Sequence, residues 1–397
     1  MRPLTALPPL RALIATGLTL AAASAAMPAF APPPVAVSYQ VLHPFAGGDG
    51  FKSQSALILG GDGSLLGTAF AGGATGQGDG TAYRLVPDGR LTPWHSFDGR
   101  QGGEGPAGLV LARDGNAYGV TTRGGTHLQG TVFRLNPNGR LTVLHSFHQD
   151  GRDGSTPQAR LLEASDGQFY GTTSYGGRHG SGSVFRMGPD GKLTVLHAFN
   201  DDGEDGAGPG QAGLTQAGDG AIYGVTHGGG GHGQGTIFRL QADGNFSVLH
   251  AFEGPDGRAP ASALVEGPDQ RLYGSTAWGG AHQRGTVYRL ERDGSVMVLH
   301  HFSGRDGDGA EPVGDLVLAS DGWLYGVTER GGRRDGGTVY RISLDGRFEG
   351  LHAFDPAGAG GYTPRAGLVE TAGGALVGTT YQGGAHDAGG IYRIRLH

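Results

Sequence analysis

Histidine, arginine and acidic residues recur along this 397-residue chain at spacings that could assemble a site. Seven histidines, His43, His95, His145, His197, His250, His300 and His352, follow one another at intervals of 50 to 53 residues, mostly within Leu-His-x-Phe. An imidazole can serve as a base or a metal ligand. Seven copies in seven like units are a poor way to build one active site, however. A half-buried imidazole hydrogen-bonded to a neighbouring turn is the expected role. The recurring arginines Arg84, Arg134, Arg186, Arg239, Arg289, Arg341 and Arg393 are expected to pair with a turn aspartate or backbone carbonyls. A second histidine set, His127, His179, His232, His282 and His386, sits in glycine-rich segments of five units. A metal needs donors within about 2–2.5 Å, and equivalent residues of separate units stand too far apart, so solvated turns are expected. The acidic runs Asp201, Asp202, Glu204, Asp205 and Asp306, Asp308, Glu311 do not follow the D-x-[DN]-x-[DN]-G ligand pattern. A weak, loop-ordering Ca²⁺ is the one cofactor they admit, with solvated turns again the expected reading.

Two positions vary inside a constant frame. Just before a recurring Gly-Gly stand Ala71, Arg123, Tyr175, His227, Trp278, Arg330 and Gln382. Aromatic faces beside guanidinium groups suit sugars, or acidic sugars and other organic anions. At a second position stand Ala56, Gly108, Arg160, Gly213, Ala263, Asp315 and Gly367, where Arg160 and Asp315 break a run of small residues. Fold stability favours sameness between repeats, whereas a specific ligand asks for difference. The candidate ligand-binding residues are therefore Arg123, Tyr175, His227, Trp278, Arg330, Gln382, Arg160 and Asp315. No G-x-S-x-G, H-E-x-x-H or P-loop signature is present, and no catalytic residue is assigned.

The elements that must hold these residues are short strands. With 81 Gly and 21 Pro, the composition would suggest a disordered chain if it lacked a period. Each repeat instead carries four apolar segments of four to seven residues: a ("GLVLA"), b ("LYGTT"), c ("GTVFRL") and d ("LTVLHSF"). Each is rich in β-formers and bounded by Gly or Asp-Gly. The chain ends on a, b and c, while its residues 37–45, "VSYQVLHPF", are an isolated d. An open solenoid gains nothing from that phase, but a ring does, because the first strand completes the last unit and removes an exposed edge. The expected fold is all-β: a seven-bladed β-propeller of four-stranded blades, closed by the N-terminal strand. Tight Asp-Gly and Asn-Gly turns (a–b and c–d) fall on one face, and the longer b–c and d–a loops fall on the other. Function is expected on the long-loop face.

Residues 1–25 read as a signal peptide, with Arg2 and Arg11 preceding "ALIATGLTLAAASA", and 26–36 as an Ala/Pro-rich linker before a propeller over 37–397. Cysteine is absent, so stability must come without disulfides. The net charge of −6 and the scattered basic residues leave no nucleic-acid or anionic-membrane footprint. A monomer secreted or held in the periplasm is expected, without a membrane span and with a glycan or surface protein as partner. The repeat "DGxLYGTTxxGGxxGxGTVFRLxxDGxLTVLHSF" resembles the Gloeo/Verruco (GloVer) tandem repeat of exported bacterial proteins across residues 37–397. The resemblance implies export rather than a particular activity. Members of that family often end in a surface-sorting anchor, whereas this chain stops at "IYRIRLH", so release is expected. Three function classes follow: a binding module on the long-loop face, a polysaccharide hydrolase or lyase using the channel mouth, and a surface or matrix structural protein. The binding module leads.

Overall fold

The computed structural model describes residues 36–397 apart from 75–77, 149 and 306. The stretch read as a signal peptide and almost all of that read as a linker, like Asp306, lie outside the described residues. Segments a to d form antiparallel sheets in that order, as in Leu162–Glu163, Phe169–Thr173, Ser183–Met187 and Leu193–Ala198. Seven such sheets form the ring. In chain order, blades 1 to 6 span residues 58–96, 104–146, 162–198, 215–251, 258–301 and 309–353. Blade 7 takes Val369–Glu370, Leu376–Thr380 and Gly390–Leu396, and its outer strand is Val37–Pro44 from the other end of the chain. The protein is a seven-bladed β-propeller closed by its N-terminal strand, as the phase of the repeats predicts.

The core lies between blades. Seven apolar clusters each draw on two adjacent blades, and the cluster joining blade 7 to blade 1 (Phe45, Tyr83, Ile391) is built like the other six. At every interface the Phe of strand d meets the c-strand aromatic of the next blade edge-on. Phe199 and Phe238 do so at 5.4 Å, and Phe45 and Tyr83 at 5.2 Å across the closure. Such pairs add about 0.5–1.5 kcal/mol beyond their buried area.

Two sequence features acquire physical causes here. The Gly of "LYGTT" is constant because the c-strand ring rests on it. A Cβ on Gly274 would lie 2.5 Å from the Tyr288 hydroxyl oxygen, and one on Gly119 would lie 2.6 Å from Phe133. Every d strand carries a β-bulge at the residue before its histidine, as where Val184 pairs with His197 but Phe185 pairs with Val195. A bulge re-aims the side chain that follows it. In five blades the imidazole thereby meets an aspartate of its own d–a loop: His43–Asp49, His145–Asp153, His197–Asp205, His250–Asp256 and His300–Asp308, at 2.6–3.3 Å. These five half-buried imidazoles thus bond the turn that leads from their own blade to the next, as the sequence reading expects. His95 instead hydrogen-bonds the next blade's c–d turn, at the Gly139 carbonyl, 3.2 Å away. Segment a is also shorter than expected, two residues in blades 1, 3, 4 and 7, because the chain leaves the ladder to line the axis.

Candidate functional site

On the long-loop face the first residues of the a segments and the last of the b strands enclose a cavity of about 590 Å³, to which all seven blades contribute. Its floor is the position read as varying near the start of strand a. Small residues crowd there, since a Cβ on Gly108 would sit 2.7 Å from the Arg160 Cβ. Arg160 of blade 3 reaches across to blade 6, where its Nε donates to Asp315 at 3.0 Å. The other Asp315 oxygen accepts the Ala263 backbone N–H at 2.7 Å. These two candidates, 155 residues apart in the sequence, therefore form one axial ion pair.

Two residues before each floor position lies a second ring that sequence reasoning missed. Gln54, Gln158 and Gln211 occupy it in blades 1, 3 and 4, Ala261 and Val313 in blades 5 and 6, and Arg365 in blade 7. The Arg365 guanidinium stacks 4.2 Å from the Tyr381 ring and donates to Glu329 at 2.6 Å.

The wall corrects the frame of the other varying position. Counting back from Gly-Gly misplaces blade 4, where four glycines follow His227. Counting from the strand glycine, and from the Thr226–Thr236 pairing, aligns His227 with Phe70, Thr122, Ser174, Ala277, Glu329 and Tyr381. Gly228 is the true counterpart of Tyr175, since Gly228–Gly229 pairs with the d–a loop as Tyr175–Gly176 does. Of this inner ring, Phe70, Thr122 and Glu329 face the cavity. A count from the "YG" of strand b would have found it.

The outer ring is a rim, and only its Arg123 lines the cavity. Tyr175 is 60% exposed. Trp278 carries the Arg258 guanidinium 5.0 Å from its ring centroid and the edge of His227 at 5.8 Å. Burial, and then the Arg258 charge, hold the His227 imidazole below its usual range. Gln382 is tied into the d–a loop by backbone bonds with Tyr362. Arg330 faces Asp335 at 3.4 Å and Glu311 at 3.6 Å. Burial lifts the Glu311 carboxyl above its usual range even though Arg330 pulls the other way.

The remaining expectations resolve locally. The loop histidines stay apart on the rim: His127 rests on His148 at 3.7 Å, and His232 approaches Glu253 at 3.9 Å. The acidic loops staple themselves, since Asp202 accepts the Glu204 and Asp205 N–H groups and Asp308 accepts those of Ser303 and Gly309. Among the described residues no three His, Asp or Glu side chains gather as a metal site would require. No described helix is long and apolar enough to cross a membrane.

The fold recurs among solved structures. The extracellular domain of a chain named as a hybrid two component system from B. thetaiotaomicron superposes with a TM-score of 0.58 at 12% identity, over 91% of this chain and 42% of that one. A chain named as a 6-phosphogluconolactonase from Bacteroides uniformis gives 0.52 at 18% identity, over 80% and 88%. The present chain thus spans less than half of the first of these. At such identities the likeness is one of fold. No curated protein matches the chain in sequence. The family described as the Gloeobacter/Verrucomicrobia repeat matches residues 29–218 and 202–392, nearly the whole propeller. This chain belongs to the Gloeobacter/Verrucomicrobia repeat family.

Proposed function

We propose that the protein is an exported binding module whose long-loop mouth holds a glycan or a small organic anion without turning it over. One observation carries this reading: the positions that hold the ring together repeat in every blade, while those lining the mouth differ in chemistry from blade to blade. Phe70, Thr122, Glu329, Gln158, Gln211 and Arg365 stand where sevenfold symmetry would put like residues. A concave site with a few convergent polar groups beside an aromatic face is the usual form of a small-ligand pocket. Export is supported by the charged and apolar start of the chain. The glycan reading is tested on a glycan array with the full chain. The expected result is binding to at least one oligosaccharide class that weakens about tenfold or more in the Gln158→Ala, Gln211→Ala double variant. These are surface changes, so the melting temperature should hold to within about 2 °C. No binding by the parent would favour a structural role, and release of new reducing ends from a bound oligosaccharide would make the protein an enzyme.

A further inference from the structure

Given a ligand-binding mouth as proposed above, we infer that its ligand is a neutral, hydroxyl-rich sugar rather than an anion. The arginines that invite an anionic ligand already have carboxylates. Arg160 is paired with Asp315 at 3.0 Å, Arg365 with Glu329 at 2.6 Å and Arg123 with Glu104 at 2.6 Å. The fixed charges of the mouth therefore cancel pair by pair, at short range and with the partners drawn from separate segments. An entering carboxylate or sulfate would gain one arginine only by approaching the acid bound to it, and like charges brought together at a site discriminate against the wrong ligand.

A hydroxyl group meets no such conflict, because it donates and accepts at once. Each ion pair presents N–H groups and carboxylate oxygens side by side. Among the described residues, the terminal nitrogens of Arg160 and the second oxygen of Glu329 make no hydrogen bond. Gln54, Gln158 and Gln211 on blades 1, 3 and 4 line the cavity, their side-chain amides have no partner among the described residues, and each offers both a donor and an acceptor. Phe70, half-buried against Gly105, supplies an apolar face of the kind that packs on the C–H side of a sugar ring. Neutral amides, cancelled charges and one aromatic wall match a polyol. Among the described residues that line the cavity, each of the three cations has a carboxylate partner.

The test compares neutral hexose oligomers with their uronic-acid counterparts on one array, including galactose and galacturonate tetramers of the same linkage. Titration calorimetry of the full chain follows for the tightest neutral and acidic probes. The neutral series is expected to bind about tenfold or more tightly than the acidic one. Glu329→Gln, and Asp315→Asn combined with it, keep the side-chain shapes but uncover a guanidinium charge. Both are expected to move the preference toward uronates by about tenfold. Asp315 also holds the Ala263 N–H, so if thermal melting shows the double variant unfolded, Glu329→Gln alone carries the test. A parent that prefers uronates, or a folded Glu329→Gln with an unchanged preference, overturns the inference while leaving a binding mouth in place. A parent that binds neither series overturns both.

Discussion

At the scale of single residues, constancy and variation have separate causes. The "LYGTT" glycine is constant for steric reasons alone: Gly274 lacks a positive φ, yet a methyl group there would strike the Tyr288 ring. Gly274→Ala is accordingly expected to cost about 1–3 kcal/mol in urea denaturation, the usual penalty for overpacking a filled core. In five blades the last residue of the "LYGTT" segment and the second of "GTVFRL" pair by their hydroxyls across strands b and c, as Thr226 and Thr236 do at 2.8 Å in the buried interior. Replacing a mouth residue such as Gln158 breaks none of these contacts, and the two classes of substitution should separate cleanly into stability and binding.

At the scale of elements, the N-terminal strand carries the closure. It pairs with Gly390–Leu396 along its length and delivers Phe45 to the blade 7–blade 1 interface. A chain beginning at residue 46 should melt far below the parent or aggregate, because blade 7 would expose an open edge. A truncated chain with an unchanged melting curve would refute the closed ring. Acid should weaken the hold on the same strand from its other side, where it packs against blade 6. His352 stacks on Tyr39 of the closing strand at 4.3 Å with rings 2° from parallel, and burial depresses its imidazole to about 4 from 6.5. The unfolded chain protonates this residue first as pH falls, so the folded state loses stability between pH 6.5 and about 4 and gains nothing above that window. The loss is at most about 3 kcal/mol. The melting temperature of His352→Phe should therefore fall less steeply with pH across this window than that of the parent, which thermal melts at a series of pH values would show.

At the scale of the whole molecule, a nearly sevenfold scaffold supports a mouth with no symmetry. The scaffold was legible in the sequence because symmetry is a matter of period and phase: six intervals of 50–53 residues and one orphan strand suffice for a ring. The mouth was legible only in part. Arg160 and Asp315 stood out by breaking a run of small residues, but their pairing across 155 residues depends on curvature that no local pattern encodes. The wall was misread by one residue at "THGGGG", where a glycine run hides the register that strand pairing makes plain. The carboxylates that neutralise Arg123 and Arg365 lie in other segments, so a reading of arginines alone overstated the positive charge.

The closing strand also decides how the molecule can be held. It runs antiparallel to the last strand, so the two ends of the propeller meet: the His397 N–H donates to the Ala36 carbonyl at 2.9 Å, on the face of the tight turns. The mouth opens on the opposite face. A fusion partner, a resin or a sensor surface joined at either end therefore leaves from the same point, and the propeller presents its mouth to solution whichever end is chosen.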